Sequence, residues 1–206
     1  MKDDPIRGDP GVKRAEDRYP EGGLILRVTS RDLPRPGRRD DARWNKDTAW
    51  FRKQEARELF AQDPRVGARH EVPRKLVERL VRFHLVDNVR GQVREFPAEG
   101  VIRAELAATV TAVEDSVVSI RFEGETQADT EGRGYRPRIL GRARYDTNEA
   151  RFVSFEMLAV GDRWGADLHN SRRNDQDPSP MGIYFSLAGD GSADRLAPAL
   201  VHAYEW

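Results

Sequence analysis

The sequence predicts an α+β fold: a strongly curved antiparallel sheet or partial β-barrel of about seven strands, with two helices packed on one face. Three stretches carry that prediction. Residues 138–161 read RILGRARYDTNEARFVSFEMLAVG. Two runs rich in Val, Ile, Phe, Tyr and Leu flank Asp146, Thr147, Asn148 and Glu149, whose types favour turns, so the stretch reads as a β-hairpin. Its second strand is apolar on both faces, with Phe152, Leu158 and Val160 on one and Val153, Phe155, Met157 and Ala159 on the other. That pattern predicts a central strand covered on both sides. Residues 102–112 place Ile102, Ala104, Leu106, Ala108, Val110 and Ala112 at alternate positions, the period of a long half-buried strand. Leu76, Val77, Leu80, Val81 and His84 follow Pro73 at helical spacing, and proline suits a first helical turn.

Taken in order, residues 1–22 are polar and rich in Pro and Gly and read as a flexible lead. A single β-rich domain is expected over residues 23–206. Residues 23–29 form a first strand and 30–43 a charged loop. Asn45, Asp47 and Thr48 resemble N-caps, which predicts a helix from Asp47 or Thr48 to Ala61, ended by Asp63-Pro64. After the Pro73 helix, residues 91–100 look irregular. Glu114-Asp115-Ser116 turns the long strand into a partner carrying Val118, Ile120 and Phe122. Residues 124–134 read as a polar loop. Beyond the hairpin, residues 161–181 show no period, with Trp164 as an anchor. Residues 182–187 and 199–204 are read as the last two strands.

Composition removes several function classes. Basic and acidic residues balance at 35 each, so net charge offers no drive toward nucleic acid or an anionic membrane. Without cysteine there is no disulfide, thiol nucleophile or thiolate metal site. No apolar run reaches the ~20 residues of a membrane span, and no signal peptide is visible; a trimmed extracytoplasmic form stays compatible with the sequence. Phosphate-cradling glycine loops and a G-x-S-x-G elbow are absent, so no cofactor is expected.

Chemistry could sit in two places. One is the 161–181 connection, where Asp167, His169, Asp175 and Asp177 are of metal-ligating type; a solvated loop with local Asp and Asn turns accounts for the same residues. The other is His84 with Asp87 one turn on, the pattern of a base and its orienting carboxylate. A buried structural histidine has the same pattern. His70 and His202 carry weaker signals. Three functions compete. The favoured one is a non-enzymatic binding module holding a small apolar or lipid-like ligand in the curved sheet. Its walls would include Leu106, Phe155 and Trp164, with small residues at Ala104, Ala108 and Ala112 leaving room. The alternatives are a metal-assisted hydrolase built on the His and Asp residues, and a scaffold domain using an exposed sheet edge.

Overall fold

The computed structural model describes residues 16–37, 43–130, 132–189, 191–204 and 206. Eight strands form one antiparallel sheet: β1 (Leu24–Asp32), β2 (Trp44–Phe51), β3 (Arg69–Glu71), β4 (Val101–Glu114), β5 (Val117–Thr130), β6 (Arg133–Asp146), β7 (Arg151–Trp164) and β8 (Ser179–Leu187). Their spatial order is β2-β1-β8-β7-β6-β5-β4-β3. The run from β4 to β8 is a meander of long neighbours. β1 joins it only through β8, with Leu26 opposite Leu187 and Asp32 opposite Met181. The sheet does not close into a barrel; β2 and β3 remain its edges.

The α-helices among the described residues are α1 (Lys53–Arg57) and α2 (Arg74–Phe83). Pro73 stands at the N-cap of α2, one residue before the first helical position expected for it, and the helix residues Leu76, Val77, Leu80 and Val81 are buried. This helix lies against β4 and β5. The chain leaving it adds Leu85, Val86, Val89, Val93 and Phe96 to the same core. One face of the sheet is thus covered by the protein's own residues 72–96. Opposite them stand Leu24, Leu26 and Val28 of β1, Ile120 and Phe122 of β5, Phe155, Met157 and Ala159 of β7, and Ile183 and Phe185 of β8. No helix among the described residues is long and apolar enough to cross a membrane.

Several expectations need correcting. The helix predicted over 47–61 is a strand for residues 44–51, followed by a five-residue helix. Asn45 and Asp47 do act as backbone-capping residues, but on a sheet edge. Asn45 Oδ1 accepts from Lys46 N and Asp47 Oδ1 from Thr48 N, both at 2.8 Å, while Trp50 N reaches Tyr204 Oη at 3.5 Å. Alternate N–H groups of this edge strand therefore have side-chain acceptors, which blunts the edge. The loop expected at 124–134 is the extended end of the β5–β6 hairpin. The structureless connection shrinks to residues 165–178, because β7 runs on to Trp164 and β8 starts at Ser179. Residues 201–203 form a 3-10 turn instead of a last strand. Within the expected lead, Tyr19 packs edge-on against Trp50 at 5.3 Å and Arg18 Nη1 donates to Val201 O at 2.8 Å; residues 1–15 lie outside the described residues.

The strand β7 is central, as predicted, but only one of its faces is covered. Phe152, Phe155, Met157 and Ala159 are buried, whereas Leu158 and Val160 are 44% and 38% exposed. A register shift near Arg144 and Tyr145 puts Phe152 on the Phe155 side, not the Leu158 side. A second shift between Val101 and Arg103 turns Ile102 outward, 60% exposed, although Leu106, Ala108 and Val110 point into the core.

Candidate functional site

The 165–178 connection is fixed by charge. Arg172 is fully buried. Its Nη2 and Nη1 donate to Asp32 at 2.6 and 2.9 Å, and its Nε and Nη2 to Asp87 at 2.8 and 2.9 Å. Asp175 lies 3.1 Å from Nη1. Arg90 bridges Asp32 and Asp175 at 2.9 and 3.0 Å. Arg35 clasps Asp175 with both Nη atoms, and Arg163 Nη2 is 2.7 Å from it. Burial opposes the charges of Arg172, Asp32, Asp175 and Arg35, but at all four the partners win. Despite burial, Asp87 and Asp32 hold Arg172 above the usual guanidinium range. Asp175 is held far below the carboxylate range by Arg35 and Arg163, and Asp32 is lowered by Arg172 and Arg90. Arg163 alone is shifted toward neutrality, by burial and by the charge of Arg172.

This geometry answers for the expected residues. Asp175 is occupied by arginines. Asp167 faces Arg133 and Arg94 at 3.5 and 3.7 Å, and its Oδ1 accepts from His169 N. His169 and Asp177 are exposed. Among the described residues no three His, Asp or Glu side chains converge as a metal site. The His84–Asp87 pair is not assembled: both Asp87 oxygens serve Arg172, while His84 Nε2 hydrogen-bonds Tyr204 Oη. Burial, with the charge of Arg79, lowers the His84 pKa to about 3, so its ring is neutral. His70 Nε2 meets Glu58 O at 2.9 Å, a structural contact. Leu106 and Phe155 belong to the packed core, Phe155 between the rings of Phe122 and Phe152 at 5.5 Å each. Trp164 lies partly buried against Gly134.

A recess lies instead on the uncovered face. Between β1, β2 and β8 and the returning segment 194–199 there is a groove of about 640 Å³. Thr29, Lys46, Thr48, Tyr184 and Ser186 line its sheet side, and Leu196, Ala197 and Ala199 its roof. The roof is tethered at three points. Arg27 forks onto Asp194 with two contacts of 2.5 Å. Thr48 Oγ1 donates to Leu196 O at 2.7 Å, and Asp47 Oδ1 accepts from Ala199 N at 3.0 Å. Burial raises the Asp47 pKa against those backbone bonds.

The sequence concealed both features. Asp32 and Arg163 continue the inward parity of β1 and β7, which was the one available signal for the ion cluster. The groove had none, since segment 194–199 meets β1 and β2 only through the folding of the whole chain. Comparison with protein-family models, curated proteins and solved structures gives no match.

Proposed function

We propose that the protein is a non-enzymatic binding module for a small, largely apolar ligand, held in the groove beneath segment 194–199. The observation that carries this reading is the groove itself. Its volume falls within the ~300–1,000 Å³ of small-molecule sites, and an apolar roof with a few convergent polar groups is how such sites are lined. Thr29 and Ser186 offer hydroxyl groups to a ligand, the Thr48 and Tyr184 hydroxyls, which donate to Leu196 O and Glu156, can still accept, and Lys46 favours a ligand with an anionic end. The covered face of the sheet is filled by residues 72–96, so a ligand enclosed there would have to displace the core.

The test is native mass spectrometry of protein purified from its own source, followed by titration with 1-anilinonaphthalene-8-sulfonate. The expected result is a retained small-molecule mass, and dye fluorescence that Ala197→Trp abolishes without lowering the thermal midpoint. An empty protein whose dye response is the same in wild type and Ala197→Trp would overturn the reading. A second reading, an interaction domain of a larger assembly, is favoured by one observation: Leu140, Leu158 and Tyr184 stand opposite one another across β6, β7 and β8 on the uncovered face. Recovery of a stable protein partner with the groove empty would favour it.

A further inference from the structure

We infer that two copies of this chain pair face to face through the uncovered side of the sheet, about a two-fold axis that runs along the strands between β6 and β7. Those strands are the middle of the order β2-β1-β8-β7-β6-β5-β4-β3. The rotation therefore sets β7 over β6 of the second copy, β8 over its β5, and β1 and β2 over its β4 and β3. This extends the second reading above and does not depend on a ligand in the groove.

The strand registers make the face self-complementary. One cross-strand row runs from Lys46 through Tyr184, Leu158, Leu140 and Glu123 to Glu71. The rotation sets Leu158 against Leu140 of the second copy, Tyr184 against its Glu123 and Lys46 against its Glu71. In a neighbouring row Glu156 comes opposite Arg142. These two already pair within one chain at 2.6 Å, so two such pairs meet head to tail. Toward the far end Asp162 comes opposite Arg136. Within these rows no like charges meet across the axis, the condition that a correct pairing must satisfy.

Shape agrees with charge. Segment 194–199 stands as a ridge above β1 and β2, tethered by Arg27, Thr48 and Asp47, with Leu196 67% exposed. The rotation carries this ridge onto β4 and β3 of the second copy. A recess of about 670 Å³ lies there, with Glu71, Glu105 and Glu123 around buried Ala107. Aligned sheets cross at about 30°, so the rows match best at the axis, and ridge and recess take up the divergence at the ends. At the axis Leu140 and Leu158 form an apolar centre inside a rim of Arg–Glu pairs, the anatomy of a specific interface. Four strands at ~4.8 Å spacing and ~40 Å long give a footprint of about 750 Å² per copy, close to the ~800 Å² per partner of a stable complex. A contact of this size with a mostly polar rim should dissociate in the micromolar range, so the chain is monomeric in dilute denaturation experiments.

Sedimentation velocity of the full chain from about 1 to about 200 µM tests this. The mass should rise from one chain to two and stop there, because a two-fold contact closes. Leu158→Arg should remain monomeric throughout. Arg142→Glu should weaken pairing about tenfold by setting like charges together, and adding Glu156→Arg should restore it. Leu168→Gln, on the 165–178 connection, should pair as wild type does. All the substituted side chains are at least partly exposed, so thermal midpoints at low concentration should match wild type. A wild-type chain that stays monomeric would overturn the inference and leave the face to a different partner. Pairing that survives both Leu158→Arg and Arg142→Glu would also overturn it, by placing the contact on another surface. Neither result bears on dye binding in the groove, which is read separately.

Discussion

His84 is a residue on which burial decides chemistry. Its ring closes the α2 stripe, and its Nε2 is committed to Tyr204, whose own hydroxyl is pushed above the usual phenol range, first by burial. With a folded pKa of about 3 and an ordinary value of 6.5, the unfolded chain takes up a proton that the folded chain refuses. The sign follows: the neutral ring's contribution is fully present above about pH 6.5 and is lost as pH falls toward 3. Between pH 7 and pH 5, wild type should lose about 2 kcal/mol more stability than His84→Gln, at ~1.4 kcal/mol per pH unit. Urea denaturation of both proteins at the two pH values measures it. Equal losses would mean that His84 titrates normally. The comparison is needed because Asp32, Glu55 and Asp175 also carry lowered pKa values and shift stability in both proteins.

At the scale of an element, β7 shows how one strand serves two environments. Met157 is 2% exposed and packed in the core, while its neighbour Leu158 stands on the uncovered face. Met157→Ala should cost about 2–5 kcal/mol, as buried truncations do. Leu158→Ala should stay within about 0.5 kcal/mol. Guanidinium denaturation of the two variants checks this, and comparable costs would show that the Leu158 face is covered in solution. The element read wrongly, β2, is instructive for the same reason. Asn45, Asp47 and Thr48 compete for backbone N–H groups at a helix start and at a strand edge alike. Pairing with β1 decided between the two, and no local feature of residues 44–51 announces that partner.

For the whole molecule, the decisive contacts are the long-range ones. The strand β1 is tied to the meander only through β8, and the Arg172 cluster binds the same ends again. It joins the end of β1 (Asp32), the segment after α2 (Asp87 and Arg90), the end of β7 (Arg163) and the connection before β8 (Asp175). Desolvation offsets much of what such a cluster contributes when complete, but removing its centre strips buried Asp87 of both guanidinium bonds that Arg172 gives it and leaves Asp32 to Arg90 alone. Arg172→Gln should therefore cost about 3–5 kcal/mol. Urea denaturation should show that loss, together with faster proteolysis within 165–178. A loss below 1 kcal/mol would mean that water reaches the cluster and screens it.

Local pattern was enough for the β6–β7 hairpin, for α2 from Pro73 onward, and for the inward parity of Leu106, Ala108 and Val110, because period and turn chemistry act over a few residues. The absence of cysteine chemistry was equally legible. The identity of β2, the outward turn of Ile102 at a register shift, the burial of Arg172 and the groove beneath Leu196 to Ala199 were decided only by tertiary structure. Each depends on which distant strand or segment the residue meets, and burial and pairing energies of that kind have no local counterpart in the chain.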